Sequence, residues 1–538
     1  MTLKRLSLAV LAALLVGAAP ARPVADVHAA DRIRGHVEFL ASDLLEGRDT
    51  GSRGHLVAAN YVASEFRKLG LKPGGANGSY LLDVPFRRAT LAGTPAISVT
   101  INGRTTKLVI GKDAAIRPSV THRQVTLNVP LVFVGHGVRD VRLGIDDYAG
   151  LDVRGKIVVA LADSVPGVPT EISAHLQSMQ VQTAGAQGAI GLIEVNDAIT
   201  AGSQVQRFGT RPVVDWVDAA GRSSRGSGAQ ALVALSSEWT ERLFERAPRQ
   251  LKAIRADAAA GKRVRGFALP ASLSVTAASN WQDFTSPEVV GVLPGADPQR
   301  AQEHIVLMGH LDHLGLYPDA KPGQDAIYNG ALDNAAGVAT MIEAAREFVQ
   351  SGKPPRRSVL FIANTGEEYG LLGANYFASH PTVPAQSIVG LVDLDMPLLL
   401  YDFTDVVAFG ADHSTTGRAV AAAGASMHIG LAPDPMPQET LFVRSDHYPF
   451  VKAGVPAVFL MTGQANGGAQ SWRRFLADTY HTVKDDLSQP IRWEAGAKFA
   501  ELNYRIARNM ADADQRPLWY SGDYFGETYA PSQPKAKR

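Results

Sequence analysis

The residues best equipped for chemistry lie between His310 and His481. The stretch 309–315 reads GHLDHLG, and 329–337 reads NGALDNAAG. His310, Asp312 and Asp333 offer an imidazole nitrogen and carboxylate oxygens, the donors that zinc takes from protein. Such residues at strand ends also serve as surface groups and helix caps, so this stretch alone leaves both roles open. Glu367 and Glu368 are adjacent in NTGEEYG. Neighbouring carboxylates repel each other unless a cation sits between them or a proton is shared. A metal resolves the conflict if one glutamate binds it and the other faces a bound water; the alternative is a solvated acidic loop. Asp395 closes the run VGLVDLD. Asp393, on the same side of that strand, reads better as a buried, hydrogen-bonded carboxylate. His481 in YHTVKDD and His447 in RSDHYPF are each ambiguous between ligand and surface. His304, His313, His380 and His413 show no partners in the sequence and are read as structural or exposed.

The elements that must position these residues alternate. Apolar runs at 289–294, 304–309, 358–364, 387–395 and 456–462 predict strands, and segments 334–350, 369–379, 414–424 and 493–512 predict helices. Continuous apolar strands alternating with helices indicate an α/β fold with a mostly parallel sheet covered on both faces. Ligands bind beyond the carboxyl ends of such strands. His310, Glu367, Glu368 and Asp395 all fall at or just after such an end. Upstream, residues 31–72 predict two helices around the polar, glycine-rich loop EGRDTGSRG, and 80–128 predict strands and turns. Residues 130–268 read as a separate smaller α/β module: two strands, a long helix over ISAHLQSMQVQTAGAQGA, then the strand AIGLIEV. That module holds no cluster of His, Asp and Glu and is assigned no chemistry.

The chain has 538 residues, enough for two or three units, with 46% apolar and 20% charged residues. Lysine plus arginine number 53 against 52 acidic residues. This balance argues against nucleic acid or an acidic membrane surface as partner. Cysteine is absent, which removes disulfides and thiolate chemistry. Lys4 and Arg5 precede an apolar run from Leu6 to Val16, and Ala19-Pro20-Ala21 offers a cleavage site. The run is shorter than the ~20 residues that span a bilayer. Residues 1–21 are therefore expected to be a signal peptide, with a mature start near Arg22, no membrane attachment after its removal, and a periplasmic or secreted location.

Taken in order, GHLDHLG, YNGALDNAAG, NTGEEYGLLGA, DLDM, SDHYPF and YHT resemble the dizinc aminopeptidases. This family also includes aminopeptidase Y, bacterial leucyl aminopeptidase, glutamate carboxypeptidase and glutaminyl cyclase. The similarity covers most of residues 31–525. It implies a zinc-exopeptidase-like fold in which 22–129 and 269–515 form the catalytic domain, 130–268 an inserted protease-associated domain, and 516–538 a C-terminal tail. It also implies two zinc ions. His310 and Asp395 would hold one, Glu368 and His481 the other, and Asp333 would bridge them. Asp312 would orient His310 through its other ring nitrogen. Glu367 would be the general base, and Tyr480 would polarise the scissile carbonyl. The implied partners are peptides with a free N-terminus; the oligomeric state is left open. The implied activity is that of an aminopeptidase, with a carboxypeptidase, a glutaminyl cyclase or a non-catalytic binding protein as alternatives. One departure stands out. Many members continue the strand-end Asp-Met with Ile-Gly-Arg, where this chain has Pro397-Leu398 after Met396.

Overall fold

The computed structural model describes residues 28–200, 204–226 and 228–538; the expected signal peptide and the start near Arg22 lie outside them. Four parallel strands form the centre of the main sheet, in the spatial order Ser358–Asn364, His304–His310, Ile388–Asp393 and Ala457–Thr462. Every residue of these strands is buried, so both faces must be covered. That is why they read as unbroken apolar runs rather than alternating ones. The sheet continues antiparallel on both flanks, with Val289–Leu293 against 359–363 and Asp405–Phe409 against 459–462.

Register brings the candidate residues to one edge. His310 pairs with Asn364, and Met308 pairs with Asp393. The loops carrying Glu367, Glu368 and Asp395 therefore leave the sheet beside His310. Helices Ala29–Leu40, Ala336–Gln350 and Trp493–Asp512 pack against one another beside this sheet. The last buries Ala495, Phe499, Leu502, Ile506 and Met510, a stripe at helical spacing. Among the described residues no helix is long and apolar enough to cross a membrane.

A second sheet has its own core, and that core runs beyond the expected 130–268. It includes Ile97, Val99, Leu108, Ile116 and Val125 on one side and Leu273 and Val275 on the other. The reason is a 27-residue strand, Phe267–Leu293, that passes from one sheet into the other. Its first part pairs with Ala96–Ile101 and Gln124–Phe133, and its middle pairs with Leu81–Leu91. The middle reads SNWQDFTSPE and is largely open to solvent on one side, so its composition carries no strong strand signal. The long helix expected over 172–189 is two helices, Thr170–Ser178 and Gln180–Ala186, divided at Met179.

Candidate metal centre

His310 ends its strand with both ring nitrogens engaged. Nδ1 lies 3.0 Å from the backbone carbonyl of Asp312. Nε2 lies 3.1 Å from Asp395 Oδ1 and 3.2 Å from Asp333 Oδ1. Asp333 sits in the turn Ala331–Ala335 that opens helix Ala336–Gln350, and its peptide bond to Asn334 is cis. Asp485 fixes this turn, accepting hydrogen bonds from the backbone of Leu332 and Asp333 at 2.9 Å each. Asn334 fastens the turn to the neighbouring strand end. Its Nδ2 donates to Leu394 O at 2.9 Å, and its Oδ1 accepts from the backbone of Gly337 and Met396 at 3.1 Å each. A Cβ at Gly337 would stand 2.0 Å from that same Oδ1, so the close approach requires glycine. Asp395 Oδ2 and Asp393 Oδ2 both lie 2.7 Å from Ser445 Oγ. Asp393 also accepts from the His447 backbone at 3.0 Å, so it is the buried, hydrogen-bonded carboxylate its position suggested.

The other oxygen of Asp333 faces a second set of groups. His481 Nε2 lies 3.2 Å from Asp333 Oδ2 and 3.3 Å from Glu368 Oε2. Asp333 therefore stands between His310 on one side and His481 on the other. Donor atoms of His310, Asp333 and Asp395 fall within 4.8 Å of one another, and so do those of His313, Asp333 and Glu368.

Asp312 departs from its expected part. Its backbone carbonyl, not its carboxylate, meets His310. The turn after the strand brings that carbonyl back over the ring and sends the side chain the other way. The carboxylate accepts from Thr50 Oγ1 at 3.0 Å and from the backbone N–H groups of Glu367 and Glu368 at 3.2 and 3.3 Å. It thus pins the double-glutamate loop.

The electrostatics are those of a carboxylate cluster short of positive charge. Burial raises Glu367 well above the ordinary carboxyl range, with Glu368 and Asp395 adding repulsion. Burial and then Asp333 push Glu368 up to about 8. Asp395 is raised by burial against the pull of His310. Asp333 goes the other way: burial works against its charge, but hydrogen bonds to His310 and His481 hold it well below the usual range. Burial likewise opposes the His310 cation, but Asp395 and Asp333 outweigh it and carry the ring well above its ordinary value. His313 Nδ1 and Glu368 Oε1 lie 2.6 Å apart without a hydrogen bond between them. Buried carboxylates and imidazoles that converge without hydrogen bonds to satisfy them are what a divalent cation would complete.

Residues 288–507 match the model of peptidase family M28. This segment is similar to the M28 peptidases. The family resemblance carried by the six motifs holds for it. A vacuolar membrane protease from Yarrowia lipolytica is 36% identical over 112 residues, 21% of this chain and 10% of that protein. A probable zinc metalloprotease from Pyrenophora teres f. teres is 35% identical over 109 residues, 20% of this chain and 22% of that one. The chain thus spans less than a quarter of the length of these two curated relatives. Among solved structures, an aminopeptidase from Aneurinibacillus sp. strain AM-1 overlaps 92% of this chain and 97% of its own, at 20% identity and a TM-score of 0.48.

The sequence reading missed two residues at the centre. His313, within the M28 segment, is fully buried against Glu368 and Asp333, and its ring is 5.9 Å from that of His481. Burial lowers its pKa to about 4, so it is a neutral imidazole able to accept or ligate. The repeated histidine of HLDH was the available signal. Arg48 lies outside the segment, in the loop EGRDTGSRG, and is almost completely buried. It donates to the carbonyls of Leu311 at 2.9 Å, Asn329 at 2.6 Å and Gly330 at 3.1 Å, and also to that of Leu40. One guanidinium thus joins the turn after His310 to the turn before Asp333.

Two hollows of the M28 segment meet at Glu367 and Tyr480. The smaller, about 390 Å³, adds Met396, Leu441, Phe459 and Met461 to the metal-centre residues. The larger, about 1080 Å³, runs from Glu368 and His481 towards Lys452 and is walled by Ser178, Gln182 and Ser224 of the second unit. Tyr480 stacks on His481 with ring centroids 3.8 Å apart. Burial, then the surrounding carboxylates, raise its phenol far above the ordinary value, so it keeps its proton.

Proposed function

We propose that this protein is a zinc-dependent aminopeptidase that releases N-terminal residues from peptides. The observation that carries the reading is the position of Asp333, with one carboxylate oxygen beside His310 and the other beside His481. That arrangement supports two cation sites sharing one bridging carboxylate. His310 and Asp395 would complete the first and Glu368 and His481 the second, with buried His313 beside Glu368. Bound there, two zinc ions would lower the pKa of a water and polarise the substrate carbonyl.

The chain's own residues support the remaining steps. Glu367, desolvated and raised well above the usual carboxyl range, is suited to take a proton from water and pass it to the leaving amine. Tyr480 retains its O–H and can donate to the oxygen that gains charge. Asp312 holds the backbone of both glutamates, which supports a defined role for each side chain. The small hollow, with its methionines, leucine and phenylalanine, suits an apolar first side chain, and the acidic cluster suits the α-ammonium group. The large hollow would take the leaving part of the peptide. The signal segment supports export, with a mature N-terminus near Arg22.

The test is zinc content by elemental analysis together with cleavage of amino-acid p-nitroanilides and their N-acetylated counterparts. About two zinc ions per chain and activity on free amines alone are expected. Full activity without bound metal, or equal cleavage of the acetylated compounds, would overturn the reading.

A further inference from the structure

Lys452 lines the large hollow together with Glu367, Glu368 and His481. It ends the short helix His447–Lys452, one turn after Tyr448. Its ammonium lies 4.9 Å from the centroid of the Tyr448 ring. That tyrosine is held from the second unit: its O–H is hydrogen-bonded to His175 Nδ1, whose Nε2 meets the Tyr529 hydroxyl at 3.2 Å. The platform under Lys452 is therefore fixed. Yet among the described residues no carboxylate comes within ion-pair distance of this ammonium, although the residue is partly buried. Burial lowers its pKa, and no neighbouring acid offsets this. The other cation of the hollow, Arg444, is already taken up by Glu439 at 3.5 Å. In the same hollow, Gln182 Oε1 is buried without a partner. The hollow thus combines acidic groups of the metal centre with a cation that has no ion-pair partner and an amide oxygen that has no hydrogen bond.

We propose that Lys452 binds a carboxylate of the substrate on the leaving side of the scissile bond, making the protein selective for short peptides with an acid group one or two residues beyond the cut. The inference rests on the aminopeptidase reading, which sends the leaving peptide into this hollow. The carboxylate has two chemical sources: the C-terminus of a tripeptide, or an aspartate or glutamate side chain in a longer one. A charge-assisted contact with a partly desolvated lysine favours either over a neutral amide. A long neutral backbone passing the same point gains nothing from it.

The experiment uses the zinc-loaded full chain and two pairs of peptides. Leu-Gly-Gly is compared with its C-terminal amide, and Leu-Glu-Gly amide with Leu-Gln-Gly amide. The parent should show kcat/KM roughly ten-fold higher for the acid member of at least one pair, mainly through KM, and the pair that shows it identifies the source. Lys452→Met should bring that ratio close to one, Lys452→Arg should keep it, and Lys452→Glu should reverse it. A parent that treats both pairs alike, or a Lys452→Met variant that keeps the preference, overturns the proposal while leaving the aminopeptidase reading intact. A zinc-loaded parent that cleaves none of the four peptides overturns both.

Discussion

Replacing Arg48 with methionine tests how the centre is held together. Methionine fills part of the same volume but donates nothing. The carbonyls of Leu40, Leu311 and Asn329 would then lose the Arg48 donor, while that of Gly330 keeps the backbone N–H of Ala335 at 3.1 Å. An unsatisfied buried acceptor costs about 1–3 kcal/mol, and losing one partner of a buried charged network about 3–5 kcal/mol in all. Part of this is recovered because the guanidinium itself no longer has to be desolvated, a burden visible in its pKa of about 10. The expected loss is about 3 kcal/mol of folding stability, a large share of the ~5–15 kcal/mol typical of a domain. The loss has a second readout, because Leu311 follows His310 and Gly330 leads into Asp333. Zinc affinity should fall by roughly 10–100-fold, as when other outer supports of metal ligands are removed. Arg48→Lys should recover less than half of either effect, since one ammonium cannot satisfy four carbonyls set around a planar fork. Urea unfolding followed by tryptophan fluorescence and zinc competition against a chelator measure the two effects. A stability change below about 1 kcal/mol with unchanged zinc affinity would show that Arg48 is not the strut described.

The adjacent glutamates should separate by role. Glu368→Gln is expected to lose zinc and activity together, whereas Glu367→Gln should keep zinc and lose roughly 10²–10⁴-fold in turnover; the reverse pattern in paired metal and rate measurements would exchange the assignments. His413 should make stability depend on alkaline pH. Burial opposes its charge, but hydrogen bonds to Asp523 and Glu171 raise its pKa to about 9. Because the folded value lies above the unfolded value of about 6.5, its stabilisation is full below pH 6.5 and is lost as pH rises through 9. A His413→Asn variant should thus be less stable than the parent by roughly 1–3 kcal/mol near pH 6, with the gap narrowing by pH 9.5. A gap that stays constant across that range would refute the linkage.

The parallel strands, their order along the chain and the residues at their carboxyl ends were legible in the amino-acid pattern. These are local matters: an unbroken apolar run such as IVLMG needs cover on both faces, and the residue types that follow it decide what chemistry the strand end can offer. That pattern also marked Asp393 as structural and Asp333 as the residue opening a helix. Which histidines meet the carboxylates depends on how the chain packs. The repeat in HLDH is the one local hint of His313; packing alone puts that ring against Glu368 and the ring of His304 beside Ser387. Packing also turned Asp312 from a partner of the His310 ring into the anchor of the glutamate loop. The second unit's reach depended on strand pairing across a polar stretch with no apolar pattern of its own. Arg48 is the plainest case. It donates to a carbonyl 263 residues away, and a contact over that distance leaves no periodicity in the sequence; it exists because the fold closes a buried space in which four carbonyl groups converge on one guanidinium.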